Sequence, residues 1–417
     1  MQDNQKKDWS FFVYIAGENN LSEFGVKDIS ELERIGSKDH TNIVVEFDSA
    51  GEYNGTVRFQ IPQINPVTGI ANRAILKMFK DRDSGNPRTL YNFLQYGKDY
   101  FPAKNYCLVV WNHGSGFRDS GGSGKSRIVF RKSPTYMKVA KRQNARGIAR
   151  DDLTGNALDM IELANVLKNA GFTNEKKLGV LAFDACLMNM LEVAYQMSPH
   201  ARFLVGSEDL EPGYGADYKA NARSLNRKNT SPKQLAVDFV NNYHQYYKYK
   251  RDLWPITQSA IDLTRIDTLA RRIDEFAGAL LALLPDNTMK ISDVAEEVQA
   301  YAPLDDFDDY VDLGDLANLC KEYLNDETVT RTANALLQTL KTVIVANKFE
   351  GSDVRYSHGV TIWFPETQHK FRHHRDPYQE LSFTKKYPNW MKFLSKYHRE
   401  SEFQKRAKAR KLRDYHF

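Results

Sequence analysis

The chain has 417 residues, 41% of them hydrophobic and 27% charged, with a net charge of +5. That balance suits a soluble globular fold with a large core, and excludes both a disordered polar chain and a protein that binds nucleic acid by bulk charge. Three cysteines cannot build a disulfide framework, and no apolar run approaches the ~18 residues that a membrane-crossing helix needs.

The polar start, residues 1–8, lacks the apolar centre of a signal peptide. The chain is therefore either cytosolic or begins after a removed export signal, and a Met on a polar stub just before a strand favours the second. Residues 9–16, WSFFVYIA, read as that first strand, 21–35 as a helix and 42–48 as a second strand, which makes a parallel crossover. Residues 51–61 continue as a hairpin, and 87–100 as an amphipathic helix with Leu90, Phe93 and Leu94 on one face. The apolar run 106–111, YCLVVW, is another buried strand and ends in Asn112-His113-Gly114. Residues 114–150 show no period, and from Arg118 onward they carry ten Lys or Arg against Asp119 alone. A loop this long inside a compact domain is usually functional or disordered.

A helix over 157–170 comes next, then the apolar strand 178–184, LGVLAFD, which runs into Ala185-Cys186 and a helix over 188–197. Residues 201–206 form a further strand leading into a Gly/Pro loop, 207–218, that holds four acids. Helices over 232–246, 269–284, 291–300 and 328–346 dominate the remainder, and 357–365 looks like one more strand. Between them, 304–315 has six aspartates without the spacing of a calcium loop and reads as solvated helix caps.

Two strands thus deliver Cys186 and His113 to one sheet edge, and in open α/β sheets chemistry gathers outside the carboxyl ends of the strands. A thiol beside an imidazole is a layout for nucleophilic catalysis, the imidazole serving as base for the thiol and as acid for the leaving amine. Cys107 and Cys320 lie within apolar segments and read as core. Asp184, two residues before Cys186, leaves an extended strand on the same face as the thiol. A carboxylate there suits a pocket for Arg or Lys; the plainer alternative is a buried helix cap. His358 precedes its apolar run and reads as structural.

These residues resemble the clostripain-like cysteine peptidases, similar in core fold to caspases, gingipains and legumain. The resemblance is carried by residues 11–15 with Asn19-Asn20, by Asn112-His113-Gly114, and by Phe183-Asp184-Ala185-Cys186-Leu187-Met188 with residues 192–195. Residues 207–208, 211–215, 259–263 and 359–365 extend it over most of the chain. It implies that Cys186 attacks the scissile carbonyl, that His113 is acid and base, and that the backbone N–H groups of Gly114 and Cys186 hold the oxyanion. It implies a dyad, and no third orienting residue stands out in the sequence. Caspases have Gln-Ala-Cys where this chain has Asp184-Ala185-Cys186, and a carboxylate in place of the amide implies a basic substrate side chain in place of an acidic one. A second acid from the 207–218 loop, Asp217 or else Asp209, is expected to complete the pocket. Precursors of the family are often cut between the histidine and the cysteine. Lys141, Arg142, Arg146 and Arg150 are candidate cut sites, with Arg146 and Arg150 preferred because each precedes the next ordered segment. Calcium dependence is known in the family, but no ligands can be assigned here, so no cofactor or metal is expected.

The expectation is an α/β protein: a three-layer α/β/α caspase-like sandwich with a mainly parallel sheet over residues 9–254, containing a basic activation loop at 115–150. A mostly helical C-terminal subdomain, 255–417, packs on it, with the late strand at 360–364 returning to a sheet. The expected function is a cysteine endopeptidase cutting after Arg, and Lys, through an acyl-enzyme, and activated by its own cleavage in the basic loop. It is expected to be a secreted, periplasmic or cell-surface bacterial protein, a monomer of one or two chains acting on protein or peptide substrates, without nucleic acid or membrane span. The alternative is a catalytically silent surface protein that binds acidic partners through its basic loop and tail. Against it stands the joint presence of Cys186, His113, Gly114 and Asp184.

Overall fold

A computed structural model describes residues 6–50, 55–80, 82–118, 147–250, 255–302 and 309–414. The first half runs β1 (Lys7–Gly17), α1 (Ser22–Glu33), β2 (Thr41–Ser49), β3 (Gly55–Ile61), β4 (Ala74–Phe79), α2 (Pro87–Tyr100), β5 (Ala103–Trp111), α3 (Met160–Asn169), β6 (Leu178–Asp184), α4 (Leu191–Met197) and β7 (Ala201–Gly206). The second half runs α5 (Tyr218–Leu225), α6 (Pro232–Tyr247), β8 (Ile256–Asp262), α7 (Ile266–Ala282), α8 (Thr288–Glu297), β9 (Tyr310–Asp312), α9 (Leu313–Leu324), α10 (Glu327–Val343), β10 (Ile344–Glu350), β11 (Thr361–Trp363), α11 (Gln368–Glu380), α12 (Ser382–Lys386) and α13 (Asn389–Asp414). Among the described residues no helix is long and apolar enough to cross a membrane.

Nine strands form one sheet in the order β10-β8-β7-β6-β5-β1-β2-β3-β4. The five central strands, β7, β6, β5, β1 and β2, run parallel; β3 and β4 extend one edge antiparallel, and β8 and β10 the other. Strand alternation divides the apolar side chains between two layers. Phe12 and Tyr14 of β1, Leu108 and Val110 of β5, and Leu181 and Phe183 of β6 face α2, α3, α4 and the C-terminal helices. Phe11, Val13, Ile15, Val109, Trp111, Val180 and Ala182 face α1, α5 and α6. Both faces being covered, the central strands are apolar throughout, which is why β5 and β6 are continuous runs in the sequence.

The structure departs from the sequence reading in particular places. β4, at the sheet edge with Ile75 and Met78 exposed, has no counterpart among the expected strands. The expected late strand is β11, which returns to a sheet by pairing with β9 in a separate two-stranded one; the central sheet takes β8 and, from the end of the helix expected over 328–346, β10. A boundary at 254 falls just before β8, so two strands of the central sheet come from beyond it. The aspartates of 304–315 that lie among the described residues are buried rather than solvated. Asp309 pairs with Arg118 and accepts from Trp363 Nε1, while Asp312 caps α9 and holds His358 Nδ1 at 2.7 Å.

Candidate active site

β5 and β6 are register neighbours, with Trp111 opposite Asp184, so the residues just past each strand emerge side by side at the carboxyl edge. Beyond Asp184 the chain turns at once: Leu187 has a φ of +63°, and α4 starts only at Leu191, three residues later than its apolar content suggests. The turn is pinned to the loop after β7, Leu187 N–H donating to the Asp209 carbonyl at 3.1 Å and Asn189 N–H to the Ser207 carbonyl at 2.9 Å. Cys186 is 8% exposed, and its Sγ accepts the Glu211 N–H at 3.2 Å. Burial pushes its thiol up to about 12, and the charges of Glu211 and Asp209 act in the same direction.

His113 is half-buried. Its Nε2 lies 2.9 Å from Asn20 Oδ1, in the turn between β1 and α1. Burial pushes the imidazole down to about 4, Asp152 opposing the shift and Arg150 adding to it. Asn112, just before it, donates from its side chain to the carbonyls of Ala16 and Arg150, and its backbone N–H to the Asp184 carbonyl at 3.3 Å. Gly114 closes the junction: a Cβ there would overlap the Cys186 carbonyl oxygen and stand 3.0 Å from Met188 Cγ and 3.1 Å from Ala185 Cβ. Only a glycine lets the two strand tips approach this closely. At neutral pH the resting site therefore holds a neutral thiol and a neutral imidazole.

Asp184 does not cap a helix. Its carboxylate accepts the Ala216 N–H at 3.1 Å and the Tyr218 hydroxyl at 2.8 Å. Gly215 lies over it, where a Cβ would come within 2.9 Å of both carboxylate oxygens. Because β6 ends at Asp184, strand alternation does not carry through to Cys186; Glu211 links the two instead. The Glu211 N–H meets the thiol, and its carboxyl is hydrogen-bonded to that of Asp184. Asp28 of α1 stands on the other side, buried, accepting Trp111 Nε1–H at 2.9 Å. Burial, reinforced by the Asp184 charge, holds both Glu211 and Asp28 well above the usual carboxylate range. Lys27 is the near cation, 3.1 Å from Glu31 and 3.6 Å from Asp28. A group of three buried carboxyls is unfavourable by itself and is suited to a cation.

The two acids expected to join Asp184 are engaged elsewhere. Asp217 caps α5, its Oδ1 accepting the Ala220 N–H at 2.8 Å, and Asp209 Oδ1 accepts the Ala302 N–H at 3.1 Å. Glu211 and Asp28 occupy the position assigned to them. Glu211 is in the same acidic loop, but nothing in its spacing separates it from Asp217. Asp28 shares the buried face of α1 with Gly25, Ile29 and Leu32, an acid in an otherwise core-facing set.

Of the candidate cut sites, Lys141, Arg142 and Arg146 lie outside the described residues. Arg150 does not fit an accessible cleavage segment. Its carbonyl accepts from Asn19 and Asn112, its guanidinium pairs with Asp152 at 2.7 Å, and Asp151 beyond it is fully buried. The described residues resume at Gly147, whose carbonyl accepts the Ser115 N–H at 3.1 Å, and Ile148 pairs with Leu158.

The sequence profile of the clostripain family matches residues 13–397. Clostripain of Hathewaya histolytica is 26% identical over 237 residues, a match spanning 52% of this chain and 41% of that protein. The fold is similar to that of a secreted C11 cysteine protease from Bacteroides thetaiotaomicron in complex with an irreversible peptide inhibitor, with a TM-score of 0.64 and 19% identity over 91% of this chain and 98% of the other. It is similar as well to an inactive zymogen C11 protease from Parabacteroides distasonis, with a TM-score of 0.66 and 18% identity over 92% and 98% of the two chains.

Proposed function

The chain belongs to the clostripain family, and from that premise we propose that it is a cysteine endopeptidase that cuts peptides after Arg, and after Lys, through a Cys186–His113 dyad. The observation that carries the specificity is the buried carboxyl group of three, Asp184, Glu211 and Asp28, joined to the thiol through Glu211. A guanidinium or ammonium there would meet charge-assisted hydrogen bonds in a site screened from water.

His113 takes the thiol proton as Cys186 Sγ attacks the scissile carbonyl carbon, and the carbonyl oxygen becomes an oxyanion facing the backbone N–H groups of Gly114 and Cys186. The intermediate collapses to a thioester as the same proton passes from His113 to the leaving amine. Water, deprotonated by His113, then releases the carboxylic acid product and restores the thiol. With both groups neutral at rest, the proton moves during attack, without a preformed thiolate. The basic loop supplies an internal substrate of the same chemistry. We assign self-cleavage to the bond after Arg146, ahead of the bonded segment that includes Gly147 and Ile148, which leaves the bonds around Arg150 intact. We further infer that the protein works outside the cytoplasm of a bacterium, as the relative described as secreted does.

The test is hydrolysis of matched fluorogenic peptides ending in Arg, Lys, Asp or Leu by the native chain, Cys186→Ala and Asp184→Ala, with chain integrity monitored on a gel. Cleavage of the Arg and Lys peptides alone, lost in both variants, with Cys186→Ala remaining uncut, is the expected result. A folded native chain that cuts none of the four, even after its basic loop is nicked with trypsin, would instead favour a silent binding protein.

A further inference from the structure

We propose that Asn20 is a positioning residue for His113: its side-chain oxygen holds the imidazole by Nε2 and leaves Nδ1 as the nitrogen that exchanges a proton with Cys186. The inference rests on the proposed peptidase activity and completes its dyad. An amide oxygen only accepts, so the 2.9 Å contact requires the proton on Nε2. In a neutral imidazole the other nitrogen is then a bare lone pair, and the partner of one nitrogen sets the chemistry of the other.

The turn that carries Asn20 is built to stay in place. Asn19 Oδ1 accepts the Leu21 N–H at 2.8 Å, and Asn19 Nδ2 donates to the Ala16 carbonyl at 2.8 Å and to the Arg150 carbonyl at 3.2 Å. The Glu18 carbonyl accepts the Asp152 N–H at 2.8 Å. Asn112 reaches the same Ala16 and Arg150 carbonyls from the other side. Both the backbone before His113 and the His113 ring are therefore referenced to one rigid turn at the tip of β1. A neutral amide, unlike a carboxylate, orients the ring without placing a full negative charge beside it, in keeping with a site whose resting histidine is neutral.

The experiment measures kcat and KM on an Arg peptide, with the pH profile of kcat/KM, for the full chain and for Asn20→Ala, Asn20→Asp and His113→Ala, each checked for a native melt. Asn20→Ala is expected to lose roughly 10- to 100-fold in kcat, the size of loss seen when the hydrogen-bond partner of a metal-binding histidine is removed, with KM within about twofold. Asn20→Asp keeps the acceptor, so kcat should recover above that of Asn20→Ala. Its added charge should move the His113 limb of the profile upward by about one pH unit or more. Asn20→Ala with kcat within threefold of the native chain and an unmoved profile, or Asn20→Asp no better than Asn20→Ala with no shift, overturns the proposal. The rate of Cys186 alkylation by iodoacetamide separates the two readings. If the native chain cuts no peptide but Asn20→Ala slows alkylation as His113→Ala does, the peptidase reading fails and the positioning role stands; equal alkylation rates in the native chain and Asn20→Ala sink the positioning role.

Discussion

Gly114→Ala is a small perturbation whose effect can be worked from the site. The added methyl would overlap the Cys186 carbonyl oxygen and sit at 3.0–3.1 Å from Met188 Cγ and Ala185 Cβ, where apolar contacts prefer ~3.5–4.0 Å. The Cys186 carbonyl cannot rotate away cheaply, because Leu187 and Asn189 on the same turn are bonded to the Asp209 and Ser207 carbonyls. The strand tips must then separate by about 1 Å, a displacement that can cost about 10²-fold in rate when it falls between reacting groups. Overpacking of a tight junction costs ~1–3 kcal/mol of stability. Gly114→Ala is therefore expected to lose about 100-fold in kcat/KM on an Arg peptide while still folding. Gly278→Ala, in the middle of α7 where the nearest atom to a new Cβ is Asn389 Nδ2 at 3.5 Å, should leave activity unchanged. Activity of Gly114→Ala within a few-fold of the native chain would show that the junction has slack, and would refute the argument that glycine is needed for the approach of the two tips.

Two further expectations concern protons. With its thiol held at about 12 by burial, Cys186 should hold on the order of 10³-fold less thiolate at pH 8 than a free cysteine. Higher intrinsic nucleophilicity offsets this by roughly 40-fold, so iodoacetamide should react on the order of 50-fold more slowly in the resting protein, and faster by about tenfold per pH unit up to pH 10; a rate already level at pH 8 would contradict this. Glu192, fully buried, accepts the Trp363 N–H and the Tyr378 hydroxyl on one oxygen and is raised to about 7 by burial. Its folded value lies above the unfolded one, so the stability linked to its proton is complete below about pH 4.3 and is lost as pH rises through 7. Glu192→Gln keeps the acceptor without the charge, and its melting temperature should exceed that of the native chain at pH 8 but not at pH 4. An equal difference at both pH values would rule out titration of Glu192 as the cause.

The elements that deliver Cys186 and His113 are the most legible in the sequence. β5 and β6 are buried on both faces and therefore read as unbroken apolar runs, and the abrupt polar ends of those runs mark Cys186 and His113. The amphipathic period of α2 matches its observed bounds. β4 leaves no such trace because it is an edge strand with one paired side and no fully buried residue. Asp217 does not stand beside Asp184 because of the short helix α5, which has no clear signal in the sequence: once α5 starts at Tyr218, Asp217 is its cap, and Glu211 is left to face Asp184. Asn20 stands in the sequence as part of a recognisable pair, yet its contact with His113 depends on β1 and β5 being sheet neighbours. No local pattern encodes that.

In the proposed mechanism, substrate recognition and nucleophile reactivity share a residue. Glu211 meets the thiol with its N–H and Asp184 with its carboxyl. If a guanidinium enters beside Asp184 and Glu211, its positive charge stands near Sγ and favours the thiolate, so the thiol pKa should fall. A peptide ending in Leu would lose the binding contacts and would also meet a less acidic thiol. Discrimination by this pocket should therefore appear in kcat as well as in KM, because the cation that fills the pocket improves the nucleophile that attacks next to it.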